Sequence, residues 1–159
     1  MLFRSQMIDK SGPLHNYADR DHCLQYMAAT AMIFGTLTAK HYEDEIAADP
    51  RIDALRAKIV VHEDPRYSAD YADTRKHSNS NALRVHFKDG ASTERMEVEY
   101  ALGHPVRRKE AMPLLIKKFE RNVASAFADP QRDAVIAACL QRSRLEVTPI
   151  SDFLDLLAK

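Results

Sequence analysis

Apolar residues recur at helical spacing near the start of the chain. Five of them share one helical face: Leu24, Met27, Ala28, Ala31 and Met32. This stripe predicts a helix over about residues 20–34, with Asp19 as its N-cap because a short polar side chain there accepts a free backbone N–H. Gly35 suits the position that ends such a helix, where the left-handed conformation is common.

Two shorter helices are predicted in the next segment. Thr38 is suited to cap a helix that continues through Ile46. Asp49 followed by Pro50 is typical of an N-cap and the first helical residue after it. The apolar face of this last helix is formed by Ile52, Leu55 and Ile59.

The periodicity changes after residue 58. Residues 59–63 (Ile-Val-Val-His-Glu) predict a short strand, which Asp64 and Pro65 stop. Residues 65–80 are polar and show no clear period, so a long loop is predicted there.

Residues 83–100 alternate between apolar and polar positions. The apolar positions are Leu83, Val85, Phe87, Met96, Val98 and Tyr100. With Asp89-Gly90 as the turn between them, they predict an antiparallel hairpin that has one buried and one solvated face.

Helical spacing returns at about residue 109 and predicts three C-terminal helices. The second begins at Asp129-Pro130 and the third at Thr148-Pro149. The fold class is therefore α+β: helices and a small antiparallel sheet, followed by C-terminal helices. Because so thin a sheet covers little apolar surface, the wide apolar faces of these helices hint at a missing partner, either another chain or an absent segment.

Composition excludes several classes of protein. The chain has 159 residues, enough for one ordinary domain or two small ones, and 23 basic residues balance 23 acidic ones. No charge excess favours binding to nucleic acid or to an anionic membrane, and no apolar run approaches the roughly 18 residues of a membrane span. Cys23 and Cys139 lack metal-ligand spacing and indicate reduced thiols. Residues 1–6 lack the apolar core of a signal peptide, so we expect a cytoplasmic protein.

The chain carries no general catalytic motif, and three clusters of chemically capable residues remain. The first cluster is Asp19, Arg20, Asp21, His22 and Tyr26. His22 and Tyr26 are four residues apart, so they are predicted to share a helix face, where both can meet a common ligand. An ordinary helix start, with acidic residues favoured by the helix dipole, explains the same pattern.

The second cluster follows the predicted hairpin. His104, Arg107, Arg108 and Lys109 follow Gly103 and offer positive charge to a polyanionic ligand, although a solvated basic linker between the sheet and the helices is the favoured interpretation. The third cluster lies in the predicted loop, where an exposed, variable segment is the simpler interpretation. Its members are Tyr67, Tyr71, Arg75, Lys76 and His77. The remaining histidines have no spacing typical of metal ligands, and no metal site is predicted.

An ordered set of short segments resembles the MmgE/PrpD family of enzymes. Its centre is residues 16–27 (Asn-Tyr-Ala-Asp-Arg-Asp-His-Cys-Leu-Gln-Tyr-Met), preceded by Gly-Pro-Leu at 12–14. Further matching segments are residues 34–39, 42–44, 49–56, 63–65, 99–105, 118–122 and 144–149. The resemblance spans about residues 8–157.

The resemblance implies a hydro-lyase that needs no iron or other cofactor. Members dehydrate 2-methylcitrate to 2-methyl-cis-aconitate in the methylcitrate cycle, which consumes propionate. They combine a large helical domain with a smaller α+β lid domain, place the active site between the two, and commonly dimerise. The implied substrate is therefore a small polycarboxylate.

Family enzymes are much longer, and this chain resembles only their C-terminal part. The resemblance implies a lid-type α+β domain over residues 1–103 and a helical segment over 104–159 that packs on the large helical domain. With that domain and most catalytic residues absent, we expect no useful activity from the chain alone. The alternative is a non-catalytic binding or regulatory module that self-associates or pairs with a separate helical subunit.

Five residues carry the site predictions. Tyr26 aligns with a family tyrosine that faces the active site, and it is predicted to be catalytic together with His22. Arg20, His104 and Arg107 are predicted to bind substrate carboxylates.

Overall fold

Helices dominate the computed structural model, which describes residues 8–158. The prediction for residues 1–6 lies outside this range. The described chain divides into two compact units, one ending at Ser78 and the other beginning at Asn79. The predicted α+β class is confirmed, since a two-stranded antiparallel sheet accompanies the helices. The sequence predicted a boundary at residues 103/104 between a lid-type domain and a helical segment, and that boundary stays a prediction.

The first unit is helical in its described part. Its elements are α1 (Tyr17–Asp21), α2 (Leu24–Phe34), a 3₁₀ helix (Ala39–Tyr42), α3 (Asp44–Ala47), α4 (Pro50–Arg56) and α5 (Pro65–Ala72). The predicted helix over residues 20–34 is thus wrong as a single element, because it breaks between α1 and α2. Cys23 adopts extended backbone angles at the break (φ −119°, ψ 109°) and is fully buried there.

The caps of the first unit are partly as predicted. Asn16, not Asp19, caps α1, since its side-chain oxygen accepts the N–H of Asp19 at 2.9 Å. Gly35 ends α2 in the left-handed region with φ 69°, as predicted. Asp49 caps α4 through the N–H of Arg51 at 2.9 Å, also as predicted.

The core of the first unit lies between α2 and α4. Its fully buried members are Cys23, Tyr26, Ala29 and Ile52. The predicted apolar stripe of α2 is not the buried face, and Met32 within it is 43% exposed. Only Gln25 and Thr30 are polar in α2, so apolar spacing selects no face and contact with α4 decides which one is buried.

Two predictions for residues 59–80 are wrong. Residues 59–63 form no strand, and residues 65–80 contain α5 instead of only a loop. Asp64 caps α5 by accepting the N–H of Arg66 at 3.0 Å, and Pro65 is its first residue. The Asp-Pro pair that was taken as the end of a strand is therefore the start of a helix, as it is at residues 49–50.

The second unit contains the hairpin and the C-terminal helices. Its elements are β1 (Asn81–Leu83), β2 (Met96–Val98), a 3₁₀ helix (Pro105–Arg107), α6 (Arg108–Ala126), α7 (Gln131–Leu140), α8 (Arg142–Leu145) and α9 (Ile150–Leu157). The three predicted helices are confirmed, and the short α8 adds a fourth. The strands pair antiparallel with Leu83 opposite Met96, and a bridge joins His86 to Ser92.

The hairpin has no buried face among its strand residues. All residues of β1 and β2 are exposed, so the predicted buried face is wrong. The buried residues of this unit's helices are Ala111, Val123, Val135 and Ala138. Large apolar side chains of α6 and α9 also remain exposed, including Met112, Leu115 and Leu154.

No helix in the described part of the chain has both the length and the apolar character that crossing a membrane requires.

Candidate functional site

Arg20 is a buried cation in the last turn of α1. Its Nη1 donates a hydrogen bond to the carbonyl oxygen of Tyr42 at 2.7 Å and forms an ion pair with Asp44 Oδ1 at 2.7 Å. Its side chain is only 9% exposed, whereas that of Asp44 is 89% exposed. Arg20 therefore holds the chain near residues 42–44 from the inside, and its carboxylate partner faces solvent.

Tyr26 lies in the core of the first unit. Its hydroxyl donates a hydrogen bond to the carbonyl oxygen of His41 at 2.6 Å, and its ring lies 6.1 Å from the ring of Tyr42. Burial raises the pKa of the Tyr26 hydroxyl above its ordinary value, so the neutral, hydrogen-bonding form is favoured.

His41 is a buried residue that sequence reasoning missed as part of this network. Its Nδ1 accepts the backbone N–H of Thr38 at 3.0 Å and lies 2.9 Å from Thr38 Oγ1. The available signal was a Thr followed three residues later by a side chain that can return the hydrogen bond, which is capping-box spacing. Arg20, Tyr26 and His41 thus all fix the segment formed by residues 38–44, named here the 38–44 segment.

His22 lies on the surface at the break between α1 and α2. Its Nδ1 contacts the carbonyl oxygen of Ala18 at 3.2 Å and the carboxylate of Asp21. Because both partners only accept hydrogen bonds, Nδ1 carries the proton and the Nε2 lone pair stays available for a ligand. The prediction that His22 and Tyr26 share a helical face is wrong, since the helix breaks between them and only Tyr26 is buried.

Asp19 forms hydrogen bonds with two residues that precede α1. Its carboxylate accepts the backbone N–H of His15 at 3.1 Å and an ammonium hydrogen of Lys10 at 3.2 Å. These two bonds lower the pKa of Asp19 below its ordinary value. The side chain is therefore a local anchor for the residues before α1.

His104 and Arg107 flank Tyr100 in the second unit. His104 Nδ1 accepts the N–H of Val106 at 3.3 Å, so the neutral ring carries its proton on Nε2 and can donate it to an anion. Arg107 donates from Nη1 to the carbonyl oxygen of Tyr100 at 2.8 Å and from Nε to Glu110 at 2.9 Å. That guanidinium lowers the pKa of Glu110.

The predicted site residues thus fall into two groups. Arg20 and Tyr26 meet around the 38–44 segment, with His22 on the surface at the end of α1, and all three belong to the first unit. His104 and Arg107 belong to the second unit. Two cations of the third cluster form ion pairs with carboxylates in or next to α5: Arg75 pairs with Asp73, and Lys76 pairs with Asp70.

Metal-ligating side chains do not gather in the part of the chain that the structure describes. No group of three or more His, Cys, Asp or Glu residues there is arranged to hold a metal ion. Cys23 and Cys139 are both free thiols, the first buried and the second half-buried.

Comparison with known proteins gives a consistent match. Residues 4–142 match the family described as the MmgE/PrpD C-terminal domain. The chain is 52% identical to the 2-methylcitrate dehydratase of Cupriavidus necator over 96% of this chain and 32% of that protein. It is 50% identical to that of Salmonella typhimurium over 95% of this chain and 31% of the relative. It is 46% identical to the mitochondrial 2-methylcitrate dehydratase of Yarrowia lipolytica over 97% of this chain and 29% of the relative.

The chain spans about a third of the length of these curated relatives. The matched region is their C-terminal part, and the family match alone covers most of the chain. The resemblance drawn from residues 12–27 and the later segments is therefore confirmed, and the chain belongs to the MmgE/PrpD family.

Proposed function

We propose that this chain forms the C-terminal part of a 2-methylcitrate dehydratase and has no turnover alone. The observation that carries the proposal is about 50% identity to such enzymes across nearly the whole chain, which covers only about a third of them. The reaction would be the dehydration of 2-methylcitrate to 2-methyl-cis-aconitate without iron, in propionate catabolism and in the cytoplasm.

This elimination needs a base, an acid and several groups that bind carboxylates. The base removes a proton beside a carboxylate, and the acid assists the departure of hydroxide. Cations and hydrogen-bond donors hold the substrate carboxylates and stabilise the negative charge that develops.

The two histidines suit different parts of this chemistry. His22 offers an exposed Nε2 whose partner nitrogen is fixed by Asp21 and Ala18, an arrangement suited to proton transfer. His104 presents Nε2–H because its Nδ1 accepts a backbone N–H, so it is suited to donate to a substrate carboxylate. We therefore assign His22 to acid–base chemistry and His104 to binding.

The arginines and Tyr26 would act by exchanging partners. The contact of Arg20 with the exposed carboxylate of Asp44 can give way to a substrate carboxylate, and the contact of Arg107 with Glu110 can do the same. Tyr26 would donate its hydrogen bond to substrate instead of to the carbonyl of His41.

Loss of turnover in the isolated chain follows from the number of groups that the reaction requires. The five residues assigned here lie in two separate compact units, and the relatives have about twice as much additional chain as is present in this one. A partial site cannot hold a flexible tricarboxylate in a reactive geometry. Correct orientation of the substrate contributes many orders of magnitude to an enzyme's rate, and the isolated chain lacks that contribution.

The assignment is tested in a full-length relative that carries the same three residues at the matching positions, and in the purified chain. In that relative, H22Q and Y26F should each lower kcat at least about 100-fold, while the exposed-histidine control H62Q should leave it unchanged. Unchanged turnover removes the substituted residue from the site. Clear turnover of 2-methylcitrate by the purified chain contradicts the predicted inactivity.

A second candidate is a non-catalytic binding module that self-associates or pairs with a separate helical subunit. The observation that favours it is the exposure of large apolar side chains on α6 and α9, among them Met112, Leu115 and Ile150. Light scattering on the purified chain across a concentration series tests self-association. A monomer throughout contradicts that form of the candidate, and pull-down with the remaining part of a relative tests pairing with a helical subunit.

A further inference from the structure

Asp21 supplies the carboxylate that contacts His22 at the end of α1. Its Oδ1 accepts a hydrogen bond from His22 Nδ1, and the carbonyl oxygen of Ala18 accepts from the same nitrogen at 3.2 Å. The Asp21 side chain is 33% exposed and that of His22 is 62% exposed. A half-buried carboxylate therefore supports an imidazole ring that reaches solvent.

The Asp21 carboxylate also lies near the 38–44 segment. Burial raises the pKa of the Tyr42 hydroxyl above its ordinary value, and the negative charge of Asp21 raises it further. The neighbouring Arg20 donates to the carbonyl oxygen of Tyr42 at 2.7 Å, so the end of α1 and this segment are joined directly. Asp21 is thus placed by the packing of the first unit and is not a freely rotating surface carboxylate.

The two acceptors around His22 decide which ring nitrogen carries a proton. A carbonyl and a carboxylate cannot donate a hydrogen bond, so Nδ1 keeps its proton whether the ring is neutral or charged. The neutral ring therefore has its lone pair on Nε2. A lone pair at that position accepts a proton from substrate, which is the role of a base and not of an acid.

We propose that Asp21 is a positioning residue that fixes His22 in the tautomer of a general base, and that His22 Nε2 removes the proton beside the substrate carboxylate. The inference rests on the proposed dehydratase function and specifies the role of His22 within it.

The reaction step then balances as follows. The electron pair of the broken C–H bond forms the new double bond while the C–O bond to the hydroxyl group breaks. The hydroxide leaves as water, with a proton from a separate acidic group of the full-length enzyme. His22 returns the proton on Nε2 to solvent, which its exposure permits.

The role given to Asp21 has a known physical basis. An aspartate that accepts from histidine Nδ1 orients the ring and selects its tautomer, without taking up the proton itself. In serine proteases, replacing such an aspartate with asparagine lowers kcat about 10⁴-fold. Because Asp21 is partly exposed, water competes for Nδ1 and the expected loss is smaller.

Nitrogen-15 NMR of the imidazole rings in the purified full chain tests the tautomer independently of turnover. At about pH 8.5, where histidine side chains are ordinarily neutral, the His22 signals should show a protonated Nδ1 and an unprotonated Nε2. H22Q identifies these signals by their loss. D21N should move both of them toward the values of the opposite tautomer, because an amide can donate to Nδ1 as well as accept from it.

D19N is the matched control for this measurement. Asp19 lies in the same helix, but its carboxylate is bonded to Lys10 and His15. The substitution should therefore leave the His22 signals unchanged. Circular dichroism verifies that the variants are folded.

Kinetics of a full-length relative that carries Asp and His at the matching positions test the positioning role. D21N should lower kcat at least about tenfold and change KM less than about threefold, since Asp21 orients the base and does not contact substrate. D21E retains a carboxylate and should keep kcat within about threefold of the unmodified enzyme.

The outcomes that overturn the inference can be told apart. A proton on Nε2 of the neutral ring, or signals that D21N leaves unchanged, would show that Asp21 does not set the tautomer. A raised KM with unchanged kcat in D21N would show that Asp21 binds substrate instead. Loss of turnover in H22Q with full turnover in D21N refutes this inference and leaves the proposed role of His22 intact. Full turnover in H22Q refutes that role itself, and the assignment of the base with it.

Discussion

The two compact units differ in the kind of side chain that stands out in each: buried polar side chains in the first, and exposed large apolar side chains in the second. In the first unit, three polar side chains lie inside and are paired: Arg20, Tyr26 and His41 are buried and each has a hydrogen-bond partner in the 38–44 segment. In the second unit, large apolar groups lie outside: Met96 of the hairpin and Leu154 of α9 are more than half exposed.

This difference separates two sources of structural order. A buried, fully paired polar network specifies one arrangement of the backbone, since each unpaired member would cost free energy. An exposed apolar face specifies nothing until another surface covers it. We therefore expect the first unit to be sensitive to single buried substitutions, and the second to be sensitive to its binding partners.

The largest expected effect is that of Y26A. Removing the buried ring leaves a cavity beside Ile52 and an unpaired carbonyl at His41, which should cost about 3–5 kcal/mol of stability in the first unit. L154A, on an exposed side chain of the second unit, should cost less than about 1 kcal/mol. Hydrogen exchange resolved by peptide measures each unit separately. Equal losses of protection from the two substitutions would contradict the expected difference in sensitivity between the units.

The next largest effect distinguishes the two partners of the Arg20–Asp44 ion pair. R20A removes a buried cation that also satisfies the carbonyl of Tyr42, and it should cost about 2–3 kcal/mol. D44N should cost less than about 1 kcal/mol, because the carboxylate is 89% exposed and water solvates its replacement. Urea denaturation followed by circular dichroism measures both variants, and a larger loss from D44N would show that the surface half of the pair dominates.

Alkaline pH should weaken the first unit through its buried tyrosines. Burial raises the pKa of Tyr26 and of Tyr42 above the ordinary value of 10.0. Above pH 10 the unfolded chain loses these protons while the folded chain keeps them, so stability falls as pH rises, by at most about 1.4 kcal/mol per pH unit for each tyrosine.

The alkaline effect is measured by urea denaturation between pH 8 and 11. Y42F should remove part of the slope, because one of the two titrating groups is then absent. A slope that is the same in Y42F and in the unmodified chain would assign the pH dependence to other groups.

Local signals in the sequence predicted individual helix ends well where a strong cap or stop residue occurs. Asp49 with Pro50 and the left-handed Gly35 are examples, since each acts within one helical turn. The same reasoning failed where burial decides the outcome. Nothing in the apolar spacing of α2 selects the face that packs on α4, and nothing in it breaks the helix at Cys23.

The candidate site shows the same limit. Residue types and the resemblance identified Arg20 and Tyr26 as site candidates. They did not predict that both side chains form hydrogen bonds with the 38–44 segment. Those bonds join residues 15 to 22 positions apart, and no periodic pattern encodes a contact at that separation. His41 was missed because a buried histidine that caps a 3₁₀ helix resembles a surface histidine in sequence.

The smallest expected effect tests where the first helix begins. Asn16 caps α1, whereas the sequence favoured Asp19 as the cap. N16A should lower the stability of the first unit by about 1 kcal/mol and N16G by only a few tenths, while N16D should retain it because aspartate caps as well as asparagine. Hydrogen exchange in residues 17–22 measures the series. Equal protection in all three variants would mean that Asn16 contributes nothing as a cap. Protection that decreases from N16D to N16G to N16A would place the start of the helix at Tyr17, three residues earlier than the apolar pattern predicted.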